Sequence, residues 1–222
     1  MNIARIPALI AAICLSIYWG YVLIKLVRLA RKIGKDPNAL PRETVGQIMR
    51  ILWYPDILAL LASLWIFAIV KPGRVQAGLA HTLFAPFWQL GEGVEPHALL
   101  WQIIAALASI LCILGTIATF ICWRKMGRSW RIGIDPGEKL DLVCTGPYRY
   151  VRHPIYAIRM VMDVCAVLMA PCGIVLLTAA IDFLLLQIEA RREERYMESK
   201  HGRIYADYKK SVGRFVPRAF VG

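Results

Sequence analysis

Apolar positions come in long unbroken runs, and polar positions come in blocks between them. Residues 6–28, 51–70 and 98–123 are each apolar with few interruptions. At 1.5 Å per residue the first would make a helix of about 35 Å, enough to cross a hydrocarbon core of about 30 Å. Residues 155–170 and 173–190 are apolar again, split by Pro171-Cys172-Gly173. One helix through both would run to about 54 Å, too long for a single crossing, and proline followed by glycine predicts a tight helical hairpin instead. Its first arm, about 24 Å, is short for a full span. The pattern predicts an all-α integral membrane protein with about five transmembrane helices, including this C-terminal hairpin, and a cytosolic helical tail. Residues 1–123 form an N-terminal three-helix membrane region, and 124–222 form a second region of polar loop, hairpin and tail. Between the second and third runs, residues 71–97 read as a connection on the far surface, with an interfacial segment around Phe84 to Leu90.

The tail changes period. Glu189, Glu193 and Glu194 alternate with Arg191, Arg192 and Arg195, as on a solvated helix leaving the membrane. Gly202 breaks it, Tyr205, Tyr208 and Val212 then repeat at helical spacing, and Pro217 ends the pattern.

Composition agrees with a membrane protein: 58% of the 222 residues are hydrophobic, against about 45–50% in soluble domains. The formal net charge of +12 suggests nucleic acid until its distribution is considered. Segments 25–50, 124–159 and 191–218 carry 7, 8 and 9 Lys and Arg, or 24 of the 27. That asymmetry is the positive-inside bias, and it puts the N-terminus outside and the C-terminus inside. Six cysteines (Cys14, Cys112, Cys122, Cys144, Cys165, Cys172) form no Cys-x-x-Cys pair, so neither zinc nor a disulfide framework is expected. Cys144, in the polar loop, reads as an inert thiol. No Gly-rich phosphate loop or Ser/His/Asp set is evident, and Gly127, Gly133 and Gly137 do not match a dinucleotide fingerprint.

Chemistry concentrates at Gly146-Pro147-Tyr148-Arg149-Tyr150-Val151-Arg152-His153-Pro154-Ile155-Tyr156, a polar interruption between two apolar runs. Pro154 steers His153 away from helical backbone and suits an early position of the helix that follows. His153 and Tyr156 are thereby fixed at a helix mouth. They can hold a small polar ligand at the membrane surface, and the stretch serves equally as a positive anchor. His81 and His97 fall on the outer side in this topology. Within the hairpin, Arg159 and Asp163 stand four apart and can pair, as charges kept from lipid must. Asp182, Glu189 and Glu193, at i, i+7 and i+11, share one stripe of the last helix. Glu193 stands where that stripe meets the polar loop and can take a cationic group such as an α-amine.

Arg152-His153-Pro154-x-Tyr156, preceded by Gly146-x-Tyr148, resembles a motif of the isoprenylcysteine carboxyl methyltransferases and related phospholipid methyltransferases. Glu193-Glu194-x-x-Met197, followed by Gly202-x-x-Tyr205-x-x-Tyr208-x-x-x-Val212 and Pro217, resembles their tail pattern. The resemblance covers about residues 120–218. It implies S-adenosylmethionine as cofactor on the cytosolic face and a lipid-like acceptor, while the charge distribution already argues against nucleic acid as a partner. Carried over, Leu140, Asp141, Leu142, Val143 and Tyr148 wrap the adenosine end, His153, Pro154, Ile155 and Tyr156 line the pocket, and Glu193 holds the methionine amine. The family's motif usually continues with a glycine after Tyr156, where Ala157 and Ile158 follow here. It also has an arginine for the acceptor carboxylate where this chain has Glu189. Arg191 and Arg192 are candidate substitutes, of which Arg192 is the catalytic candidate, although neither is expected on the helix face of Glu189. Glu189 itself suits an amine-bearing acceptor, whose proton it could help remove. The short chain and the absence of a retention signal suggest a bacterial inner membrane, and the resemblance puts the active site on its cytoplasmic face. Two rival readings are a sterol-type reductase using a nicotinamide cofactor, whose C-terminal region is similar, and a non-enzymatic membrane scaffold or transporter subunit.

Overall fold

A computed structural model describes residues 5–34, 36, 39, 41, 43–70, 83–84, 86, 98–130 and 141–218. Leu140, His81, His97, Gly133, Gly137 and most of the segment expected to be interfacial lie outside them. Six α-helices are described: α1 (Ile6–Ile33), α2 (Thr44–Ile69), α3 (Ala98–Met126), α4 (Pro154–Met169), α5 (Gly173–His201) and α6 (Arg203–Ser211). Among the described residues there is no strand, and the protein is all-helical.

Four helices, α1, α2, α3 and α5, are long and apolar enough to cross a membrane. The 16-residue α4 is not among them, and at about 24 Å it falls short of a full crossing by itself. The expected count of five rested on this arm. Boundaries differ where polar residues extend an apolar run. Helix α2 begins at Thr44 rather than residue 51 and continues through Pro55. Helix α5 continues past residue 190 to His201 without a break. The backbone ladder does not register a change of side-chain polarity, so a membrane helix and the solvated helix leaving it are one element.

The hairpin turn is as tight as Pro171 and Gly173 require. Helix α4 ends at Met169, and α5 starts at Gly173, with the Cys172 carbonyl accepting the Leu176 amide at 3.1 Å. Gly202, with φ +52°, separates α5 from α6. This left-handed backbone favours glycine. Helix α6 ends at Ser211, so Val212 lies in extended backbone (φ −121°, ψ 133°) beyond the helical pattern expected to include it.

The chain forms two compact units. The first comprises Met1–Gly20, Trp53–Thr116 and Met160–Phe183; the second comprises Tyr21–Leu52, Ile117–Arg159 and Leu184–Gly222. Small residues dominate the buried positions of the first, including Ala8, Ala11, Ala12, Ala105 and Ala108. Without a hydrophobic drive between helices in lipid, such residues let backbones approach closely enough for dispersion to hold them. Two indole donors of this unit find acceptors within it. Trp53 Nε1 donates to Asp182 Oδ1 at 2.6 Å, and Trp65 Nε1 to Ser16 Oγ at 3.1 Å. Asp163 and Asp182 of this unit are buried, as expected of charges kept away from acyl chains; Arg159, in the second unit, is buried too.

The second unit has an aromatic floor. Tyr21 meets Phe120 at 4.7 Å and stacks on the buried Trp123 at 5.0 Å, while Lys25 Nζ lies 4.7 Å from the Trp130 ring. Basic residues close to the aqueous boundary are thereby paired with rings rather than left in hydrocarbon.

Removing the indole donor from Asp182 leaves a buried carboxylate short of a partner. Trp53→Phe should lower unfolding free energy by about 1–3 kcal/mol, read by denaturant titration in mixed micelles. Native stability in the variant would show that the bond contributes nothing.

Candidate functional site

The polar motif folds as a short 3₁₀ turn, Gly146–Arg149, followed after Tyr150 to His153 by α4. Gly146 opens the turn at φ +64°, and Pro147 follows it. Pro154 occupies the first position of α4, where its missing N–H costs nothing. The His153 carbonyl accepts the Ala157 amide at 3.0 Å, so His153 is the residue from which the helix starts. The X-Pro bias thus does what the sequence predicts: it fixes a histidine at a helix mouth.

Helix α5 brings two adjacent glutamates to this histidine. Nδ1 of His153 lies 3.4 Å from Glu193 Oε2, and Nε2 lies 3.4 Å from Glu194 Oε1. Tyr156, one turn along α4, donates its hydroxyl to Glu193 Oε1 at 2.6 Å. The His153 and Tyr156 rings stack with centroids 5.4 Å apart and planes 8° from parallel, and Phe215 flanks the histidine at 6.0 Å. The Glu193 side chain is 26% exposed, whereas that of Glu194 is 2% exposed. Of two neighbouring carboxylates, one is open to a ligand and the other is enclosed by protein.

Glu194 is enclosed by two guanidinium groups. Arg152 donates Nε to its Oε1 at 3.0 Å, and Arg214 donates Nε and Nη2 to its two oxygens at 2.9 and 2.7 Å. Arg152 also reaches the Lys209 carbonyl at 3.1 Å and the Val212 carbonyl. The backbone repeats this docking: the Arg152 amide donates to the Gly213 carbonyl at 2.8 Å, and the His153 amide to Arg214 at 3.0 Å. A Cβ on Gly213 would collide with the Val216 carbonyl oxygen. Tyr208 donates its hydroxyl to the Tyr148 carbonyl, and Tyr148 and Tyr205 are buried. The tail tyrosines therefore dock α6 and its continuation onto the motif.

A second charge cluster sits one turn back on α5. Glu189, 1% exposed, pairs with Arg192 and lies 4.0 Å from Arg50 of α2. Arg192 also pairs with Glu43. Gly46 permits this approach, since a Cβ there would lie 2.6 Å from Pro41 Cβ and 3.2 Å from Arg192 Nη2. The expectation that Arg192 stands off the face of Glu189 is corrected here: at i,i+3 the two are neighbours, and they form an ion pair.

Of the candidate cofactor residues, the structure brings together His153, Tyr156 and Glu193. Pro154 is buried at the start of α4, Ile155 is half-buried beside it, and Tyr148 is buried in the preceding turn. Asp141 is exposed, while Leu142 and Val143 are half-buried on the approach to that turn. The sequence reading missed Arg152, Glu194, Arg214, Phe215 and Arg50 as members of these clusters. The arginines resembled positive-inside charges, and Glu194 was visible only as the second of a Glu-Glu pair.

Burial works against a charge on His153, but hydrogen bonds and charge from Glu193 and Glu194 outweigh it and raise its pKa. The bonds to Glu194 hold Arg214 protonated beyond its ordinary range. Burial raises Cys144, which keeps it a thiol, as an inert residue would be.

Residues 107–199 match the family model of the isoprenylcysteine carboxyl methyltransferases (ICMT). The matched segment includes His153, Tyr156, Glu193 and Glu194. No curated protein matches the chain.

Because His153 keeps its proton to a higher pH when folded, its contribution to stability is complete below the unfolded midpoint near 6.5. That contribution is lost as pH rises through the folded midpoint. Unfolding measured from pH 5.5 to 9, a range set by about the histidine reference value, should show this loss in the native protein and not in His153→Gln. Parallel profiles for the two would contradict a proton held on His153.

Proposed function

We propose that the protein is an S-adenosylmethionine-dependent methyltransferase acting on a lipid-like acceptor, with its active site on the cytoplasmic face of a bacterial inner membrane. The observation that carries this reading is the convergence of His153, Tyr156 and the partly open Glu193 within one hydrogen-bonded cluster. These residues fit the cofactor: Glu193 suits its ammonium, and the parallel His153 and Tyr156 rings suit a flat, weakly polar group. Leu140 to Val143, on the approach to the buried Tyr148, are assigned to the adenosine end. Residues 124–222 then act as the cofactor-binding region. The orientation follows from the Lys and Arg distribution and is the same whether α4 reaches the far surface or turns back within the membrane.

When bound, the cofactor supplies an electrophilic methyl group whose bond to sulfur breaks as the bond to the acceptor forms. The chain positions the two reactants and excludes water, which can contribute about 7–11 kcal/mol of the barrier reduction. For the acceptor, we favour a carboxylate of the isoprenylcysteine type. Arg50 and Arg192 flank Glu189, and their guanidinium groups suit a planar anion. A carboxylate is already ionised and requires no base. The amine reading needs Glu189 as a receptor for a cation, a role for which it would have to leave Arg192.

Glu193→Ala and His153→Ala should each weaken cofactor binding about tenfold or more, equivalent to about 1.4 kcal/mol or more, with the helical content unchanged. Native affinity in both by calorimetry would refute the site. Purified protein supplied with methyl-labelled S-adenosylmethionine and a whole lipid extract should label a lipid, and mild alkali should release the label as methanol from an ester. An alkali-stable N-methyl product would replace the carboxylate acceptor with an amine.

A further inference from the structure

We propose that Glu194 is a positioning residue: it holds the His153 ring from the side opposite Glu193 and, through Arg152 and Arg214, fastens the tail beyond α6 to the same point. The proposal deepens the cofactor-site reading and rests on it for its purpose. Its geometry stands independently.

Arg152 and Arg214 already outnumber the single negative charge of Glu194, so His153 is not needed to neutralise it. What the third contact supplies is direction. Both ring nitrogens face a carboxylate oxygen at 3.4 Å, the Nε2 approach being an ion-pair contact rather than an aligned hydrogen bond, and only the imidazolium presents an N–H to both sides. A neutral ring would point a lone pair at one of the two carboxylates. Held at both ends, the ring keeps the plane that stacks on Tyr156.

A cation arriving at Glu193 replaces the histidine contact on that side. His153 then remains aligned because Glu194 still holds the other nitrogen. The groups facing His153 are Glu193 and Glu194 from α5, with Glu189 one turn back; Tyr156 from α4; the adjoining Arg152; and Arg214 and Phe215 from the tail. The glutamates favour its proton, and the arginines oppose it.

The test is a histidine titration by NMR on the full-length, labelled protein in detergent without cofactor, with His153→Gln assigning the resonance. Glu194→Gln should lower the His153 midpoint by about one pH unit or more. Arg214→Gln should raise it, because a competing cation is removed from Glu194. Amide exchange in residues 203–218 should accelerate in both. If Glu194 merely held the tail in place, both variants would loosen it without opposite midpoint shifts, and that result would overturn the proposal. An unmoved midpoint in Glu194→Gln would overturn it too. Should that variant fail to fold, Arg214→Gln decides alone: its side chain is 30% exposed, and a midpoint that stays or falls counts against the proposal. The titration omits S-adenosylmethionine, so the cofactor assignment and the role of Glu194 can fail separately.

Discussion

A carboxylate withdrawn from water and gripped by two guanidinium groups is the constraint on which the candidate site depends. Glu194 would be costly to bury alone, and its burial is tolerable only because Arg152 and Arg214 both reach it. The three residues come from the motif before α4, the C-terminal part of α5 and the segment after α6. Their ion pairs join parts of the chain that local propensity would leave independent. With that joint made, the His153 and Arg152 amides find backbone partners in the tail, and His153 faces both glutamates. Glu193, one residue away, differs in being partly open. The division between a closed and an open carboxylate follows from which of the two the arginines can reach.

Charge pairing also explains the second cluster. Glu189 and Arg192 are one helical turn apart, Arg50 approaches from α2, and Gly46 leaves room for the Arg192 guanidinium. Neither residue is isolated in a low-dielectric environment, so the cluster can remain beside the hydrocarbon region without a prohibitive desolvation cost. Its two arginines are matched by two glutamates, the buried Glu189 and the half-exposed Glu43.

Much of the fold was legible because its determinants are local. Long apolar runs specify membrane helices, Pro171 and Gly173 specify the hairpin turn, and Gly202 specifies the break before α6. The boundaries of α2 and α5 were not legible from apolar runs, because a helix continues through polar residues as readily as apolar ones. At the site, Pro154 announced the placement of His153, and the spacing of Tyr156 and Glu193 was readable from helical periodicity and from the family resemblance. The partners of Glu194 were not. Arg152 and Arg214 are 62 positions apart in the chain, and no periodicity links them; only the folded tail brings them to one carboxylate. For Arg192 the register itself was misjudged, since a separation of three residues places it beside Glu189.

The docking of residues 212–214 against the motif has a consequence for biosynthesis. The four helices able to cross a membrane, α1, α2, α3 and α5, are translated, and can be inserted, before Arg214 leaves the ribosome. The nascent chain therefore passes through its insertion with Glu194 lacking one of its two guanidinium partners. Maturation of the pocket is thus postponed until that arginine has emerged, and a ribosome stalled just short of it would leave these helices in place with the pocket unfinished.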